Sequence, residues 1–179
     1  MQYRNKAAPS RKLFETSREL AGALIPRGVT FFVNDRADVA AMVGASGIHV
    51  GQDDLGAEQA RSVVGRDKLV GISTHNLVQF EDALKTSADY IAVGPIFPTS
   101  SKTNPDPIVG TNFIRQIRKL TEKPIVAIGG ITLERVPEVI EAGADSVAVI
   151  GDILRAEKPD VRAREYLDLL GEVNLTRHN

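Results

Sequence analysis

Short apolar runs recur along the chain, separated by stretches with helical spacing. The runs at residues 30–33, 47–50, 69–72, 90–93, 124–128 and 146–149 are rich in Val and Ile. They are nearly apolar on both faces, the pattern of buried parallel strands. Between them, Leu13, Phe14, Ser17, Leu20, Ala21 and Leu24 fall on one helical face, with Ser10 as the N-cap expected for it. Pro26 and Gly28 end that helix. A second helix follows Asn76 and buries Leu77, Phe80 and Leu84; a third carries Phe113, Ile114, Ile117 and Leu120. Gly143 stands where a glycine C-cap belongs.

Alternating strands and helices predict an α/β fold with a parallel sheet. An open doubly wound sheet would gather chemistry at one switch point, whereas a barrel gathers it from many strand ends. Here small or polar residues follow nearly every strand: Asn34 and Asp35, then residues 51–54, 73–75, 94–102, 129–130 and 151–152. The expectation is therefore a single domain over residues 1–179 built as a (β/α)₈ TIM barrel. Residues 2–4 can form a further strand, bringing the count to seven where such a barrel has eight. Either the first β/α unit is missing, or residues 1–9 are a leader.

Composition narrows the class. The chain has 179 residues, 42% hydrophobic and 25% charged, with a net charge of −1. That gives no general attraction to nucleic acid or membrane surfaces. The absence of Cys excludes disulfides, thiolate metal sites and a cysteine nucleophile. No signal peptide and no bilayer-length apolar run is visible, so the expected location is the cytoplasm. A homo-oligomer is compatible with this composition and not fixed by it.

Gly129 and Gly130 follow one late strand and Gly151 follows the next. Paired glycine turns after the last two strands suit a phosphate, because backbone N–H groups can approach it closely. Asp35 and Asp54 follow successive strands and together suit Mg²⁺, which keeps most of its waters and bridges to phosphates. Helix capping by Asp35 and a solvated loop at Asp53 and Asp54 are the competing reading. Arg4 and Lys6 alternate with Gln2, so in an extended segment all three share a side. The alternative is an exposed basic terminus. Lys102 lies in a long, proline-restricted loop, GPIFPTSSKTNPDPIVG, of the kind that is functional when ordered. His49 lies inside a strand, where a core or supporting role is the commoner one; His75 is a further candidate, and His178 belongs to the tail. No zinc spacing and no nucleophile-elbow serine occurs.

Taken in order, QYRNK (residues 2–6), FFVND (31–35), GIHVGQDD (47–54), GIST (71–74), VGPIFPTSSK (93–102), PIVAIGGI (124–131) and VAVIGDI (147–153) resemble the thiamine-phosphate synthase family. The resemblance implies a phosphate-binding barrel. It also implies a transferase that joins hydroxymethylpyrimidine pyrophosphate to thiazole phosphate, giving thiamine phosphate and pyrophosphate. By resemblance, Gln2 contacts the pyrimidine and His49 borders its pocket. The resemblance further implies that Arg4, Lys6, Asn34, Ser73 and Lys102 hold the pyrophosphate, with Arg4, Lys6, Ser73 and Lys102 as the catalytic set. It implies that Asp35 and Asp54 bind Mg²⁺, and that Thr99, Ser101, Gly130, Val149, Ile150 and Gly151 hold the thiazole phosphate.

Three departures from the family pattern stand out. The β/α unit that normally precedes QYRNK is expected to be missing, Gly151 stands where serine is common, and the loop reads PTSSK where PT-x-TK is usual. A thiazole tautomerase and an inactive ligand-binding remnant are the alternatives. The first does not need Arg4, Lys6, Asp35, Asp54 or Lys102.

Overall fold

A computed structural model describes residues 1–99 and 106–177 of the chain. Their contacts form two compact units: Met1–Ser73 with Asp82–Tyr90, and Thr74–Glu81 with the described residues from Ile91 onward.

In the first unit, strands β1 (Gln2–Tyr3), β2 (Phe32–Asn34), β3 (Gly47–Val50) and β4 (Leu69–Thr74, in this unit to Ser73) are parallel neighbours in chain order. Asn34 lies opposite His49 and His49 opposite Gly71, so these three share one face. The alternate positions Val33, Ile48, Val50 and Val70 are fully buried. Around them lie helices α1 (Ser10–Leu24), α2 (Ala37–Met42) and α3 (Ala57–Val64), which bury Leu13, Ala21, Val39, Ala40 and Ala60. An apolar face therefore fixes the register, and the register delivers the polar face.

Two glycines on that polar face make room for two rings. A Cβ at Gly47 would fall 2.6 Å from the Phe32 ring, and one at Gly71 would fall 2.0 Å from Tyr90 Cζ. Phe32 and Tyr90 meet edge to face, with centroids 5.6 Å apart.

In the second unit, helix α4 (Leu77–Leu84, in this unit to Glu81) begins under Asn76, whose Oδ1 accepts from Gln79 N at 2.9 Å. Strands β5 (Tyr90–Val93, in this unit from Ile91), β6 (Ile125–Ile128) and β7 (Ser146–Ala148) run parallel. Helices α5 (Gly110–Arg118) and α6 (Val136–Glu141) bury Ile114, Ile117, Val136, Val139 and Ile140 with the strand residues Ile91 and Ile125. Arg118 donates to Asp145 at 2.8 Å and to Lys123 O at 3.0 Å; Asp145 also accepts from Ile125 N at 2.7 Å, which ties α5 to the start of β6. The short helix α7 (Gly151–Leu154) is held by α8 (Pro159–Arg177), whose Tyr166 hydroxyl donates to Asp152 at 2.8 Å.

The expected α/β fold is present, and each expected strand is found within two residues of its expected ends. Some local expectations are corrected. Ser10 is the first residue of α1, not its cap, and its hydroxyl instead accepts from Arg36 at 2.9 Å. The end of α1 is as expected: the helix stops at Leu24, before Pro26, and a 3₁₀ turn, Ile25–Arg27, follows, which Gly28 closes in the left-handed conformation. Leu120 lies beyond α5 and is 48% exposed. No helix among the described residues is long and apolar enough to cross a membrane.

The contrast between Ile114 and Leu120 is measurable. Ile114→Ala leaves a cavity at a fully buried position, so it should lower unfolding free energy by roughly 2–5 kcal/mol. Leu120→Ala should stay within about 0.5 kcal/mol of the wild type. Denaturant titration of both variants checks this, and equal losses would place Leu120 in the core.

Candidate functional site

The polar residues of the first unit converge where β1, β2 and β3 end. Lys6 is 53% exposed, yet its Nζ lies 3.1 Å from Asp35 Oδ2 and 3.8 Å from Asp54 Oδ2. The two carboxylates are much less exposed, at 17% and 18%. Asp54 is fixed from its own loop, its Oδ2 accepting from Gly51 N at 2.9 Å. Asp35 is fixed through its backbone, its N–H donating to His49 O at 2.8 Å. Its φ of 65° makes it the one non-glycine with positive φ among the described residues. Such a conformation costs of order 1–3 kcal/mol, least for Asn and Asp, and collects at functional sites.

Burial raises the Asp35 carboxyl above its ordinary pKa; the adjacent Asp54 raises it further, and Lys6 opposes both. Two carboxylates held together with one shared cation suit a divalent ion whose remaining ligands are water and phosphate. No group of three acidic or His side chains that could hold a metal by protein ligands alone occurs among the described residues. Helix capping does not explain Asp35, because α2 is preceded by Arg36 and takes no side-chain cap.

A cavity of about 260 Å³ opens here, lined by Asn5, Lys6, Ala8, Leu13, Asn34, Asp35, Arg36 and Asp54. It thus joins Lys6, Asn34, Asp35 and Asp54 and leaves out Gln2, Arg4, His49 and Ser73. Gln2 reaches it indirectly, donating from Nε2 to Asn34 Oδ1 at 2.9 Å. The extended segment ends at Tyr3, so Lys6 reaches the carboxylates from a turn that Asn5 stabilises by accepting from Ala7 N at 3.2 Å. The expected row of Gln2, Arg4 and Lys6 on one strand face is therefore replaced by a strand and a turn. Arg4 is exposed.

Ser73 does not follow β4 but lies within it, buried like His49. His49 Nε2 is 2.8 Å from Ser73 Oγ and Nδ1 is 2.8 Å from the Tyr90 hydroxyl. Tyr90 also stacks on the imidazole, with centroids 5.5 Å apart. Gln52 Nε2 donates to Ser73 O at 2.6 Å. Sequence reading passed over Tyr90 and Gln52. Gly71 carried the signal for Tyr90, since a glycine inside a strand marks the close approach of something large.

The second unit holds the glycine turn. Gly129 and Gly130 both have positive φ, 88° and 66°. A Cβ at Gly130 would fall 2.3 Å from Pro98 O, and one at Gly129 would fall 2.5 Å from Pro95 Cβ. Arg135 braces this turn, donating to Gly130 O at 2.8 Å with its guanidinium 4.4 Å from the Phe97 ring centroid. Thr99 is half-buried in the stretch that follows β5. Val149 and Ile150 lead into Gly151, the first residue of α7. His75, the further candidate, faces Gly94 O and lies 3.4 Å from Asp106. Lys102, Ser101 and His178 lie outside the described residues.

The Asp35 environment makes a signed prediction. A carboxyl whose pKa is raised on folding favours the fold most below its ordinary value, and that contribution is lost as pH rises through the folded value. Asn tolerates the left-handed backbone equally well. Asp35→Asn should therefore raise Tm at neutral pH in metal-free buffer and flatten the fall of Tm above the usual carboxylate range. A lower Tm at neutral pH would mean that the exposed Lys6 pairing outweighs burial.

Comparison with known proteins gives a consistent picture. The family model described as thiamine monophosphate synthase matches residues 1–153. The thiamine-phosphate synthase of Koribacter versatilis is 55% identical over 170 residues, 95% of this chain and 79% of that protein. That of Shouchella clausii is 46% identical, covering 91% and 77%. Among solved structures, a thiamine phosphate pyrophosphorylase from Pyrococcus furiosus matches with a TM-score of 0.86 at 33% identity, covering 96% of this chain and 82% of that one.

Proposed function

We propose an activity from one premise, that the chain belongs to the thiamine monophosphate synthase family: it is a transferase that makes thiamine phosphate. The two substrates are hydroxymethylpyrimidine pyrophosphate and thiazole phosphate. Parallel strands alternating with helices support a phosphate-binding (β/α)₈ barrel as its fold. The observation that carries the reading is the cavity that brings Lys6, Asn34, Asp35 and Asp54 together.

The chemistry is a substitution at the pyrimidine methylene. Its C–O bond breaks with both electrons going to the pyrophosphate, and the thiazole nitrogen lone pair then forms the new C–N bond. Charge accumulates on the departing pyrophosphate, so groups already aimed at it stabilise the transition state more than the bound substrate. Lys6 supplies an ammonium on the cavity wall, Asn34 an amide, and Arg4 and Ser73 a further cation and a hydroxyl. Lys102 adds a further cation. The carboxylates of Asp35 and Asp54 would hold Mg²⁺, which supplies charge neutralisation for the pyrophosphate. Asn34 is oriented by Gln2, which in turn contacts the pyrimidine, with His49 at the border of its pocket. Thr99, Ser101 and the backbone at Gly130 and at Val149, Ile150 and Gly151 are assigned the thiazole phosphate.

A tautomerase acting on the thiazole alone would have no use for two carboxylates beside an ammonium. Asp54→Asn separates these readings, because the amide can still accept from Gly51 N. Its rate of thiamine phosphate formation should fall by roughly 10²–10³, while the Mg²⁺ concentration for half-maximal rate rises. Unchanged Mg²⁺ dependence would sink the metal assignment. No product from the wild-type chain with both substrates and Mg²⁺ would sink the transferase.

A further inference from the structure

We infer that Tyr90 is a positioning residue: it holds His49 in one tautomer and thereby turns the Ser73 hydroxyl outward as a hydrogen-bond donor. The step from His49 to Ser73 rests on the assignment of Ser73 to the pyrophosphate above; the step from Tyr90 to His49 does not.

The three groups form a line. Tyr90 Oη is 2.8 Å from His49 Nδ1, and His49 Nε2 is 2.8 Å from Ser73 Oγ. His49 and Ser73 are buried, at 8% and 9% exposure. Burial raises the Tyr90 phenol above its ordinary pKa, so it keeps its proton at neutral pH. A phenol can donate one hydrogen bond, and a neutral imidazole donates at one nitrogen and accepts at the other. If Tyr90 donates to Nδ1, the imidazole proton sits on Nε2 and is donated to Ser73 Oγ. The serine oxygen then accepts, and its own O–H is available to an anionic oxygen outside the line.

The opposite tautomer reverses every step. Nδ1–H would donate to the phenolic oxygen, and the phenol proton would lose His49 as its acceptor. The phenol is only part-buried, so it would turn to water and give up its partner of fixed geometry. The bare Nε2 lone pair would then capture the Ser73 O–H and withhold it from the substrate. The tautomer thus decides whether Ser73 donates to an anion or to its own histidine.

The surroundings fix this line rather than merely permit it. Tyr90 stacks on the imidazole at an interplanar angle of 30° and meets Phe32 edge-on at 82°. Gly71, the register neighbour of His49, leaves the space that the phenol ring fills. Gln52 Nε2 holds the Ser73 carbonyl at 2.6 Å, so the serine backbone does not drift while its hydroxyl is steered.

Tyr90→Phe removes one hydroxyl and keeps both ring contacts, so the fold should survive. Nitrogen-15 NMR of the imidazoles at one neutral pH reads the tautomer directly. The wild type should show His49 protonated at Nε2, and Tyr90→Phe should shift population to Nδ1–H. In the same variant kcat should fall about tenfold, with KM changed less than about twofold. Tyr90→Phe added to Ser73→Ala should cause no further loss, as expected of groups acting as one unit. A wild-type His49 protonated at Nδ1, or an unchanged tautomer in Tyr90→Phe, would overturn the assignment whatever the activity. A shifted tautomer with unchanged kcat would overturn the link to Ser73. Absence of product from the wild type would instead overturn the transferase reading and leave the tautomer result standing.

Discussion

Two carboxylates kept side by side, with one half-exposed ammonium between them, set the terms for the rest of the first unit. Asp35 and Asp54 repel each other, and burial disfavours the charge on Asp35. Lys6 offsets part of this from a position where water screens it. A pair left in that state is unfavourable by itself, and the fold must hold it together by other means. Asp35 is held by its N–H to His49 O and by a backbone turned left-handed; Asp54 is held by Gly51 N. The stabilisation comes from β2 and β3, whose apolar faces are buried while their polar faces carry the site. Such an arrangement is what a site for a cation-bound phosphate requires, because the missing charge arrives with the ligand.

The same register explains the second layer. Asn34, His49 and Gly71 lie in one row across β2, β3 and β4. Two of the three carry polar side chains, and the third has none, which admits Tyr90 beside the imidazole. Small changes in this row therefore act at a distance from the cavity. A methyl group at Gly71 would displace the Tyr90 ring without touching any carboxylate. In the second unit, Arg135 plays a comparable part for the Gly129 and Gly130 turn, gripping its carbonyl while lying over Phe97.

Much of this was legible in the sequence, for a physical reason. Strands buried on both faces read as unbroken apolar runs, so β3 and β5 were placed to the residue, and Asp35 and Asp54 were found because they follow such runs. Legibility failed where tertiary contacts override local pattern. Ser10 has the chemistry of a cap but serves Arg36 instead, and Leu120 has the right spacing but lies past the end of α5. Lys6 reached the carboxylates through a turn, which alternation along a strand could not foresee. Tyr90 looked like an ordinary strand residue, because its role depends on a glycine nineteen positions earlier. The barrel is a different matter: the distribution of polar residues after strands points to it, and strand-by-strand pattern alone does not close one.

The central claim is that Lys6, Asp35 and Asp54 form a site for pyrophosphate together with Mg²⁺. Calorimetric titration of pyrophosphate into the purified chain, with and without Mg²⁺, tests it most directly. Binding should require Mg²⁺ and be lost in Asp35→Asn even with the metal present. Binding of equal strength without Mg²⁺, or undiminished in Asp35→Asn, would contradict it.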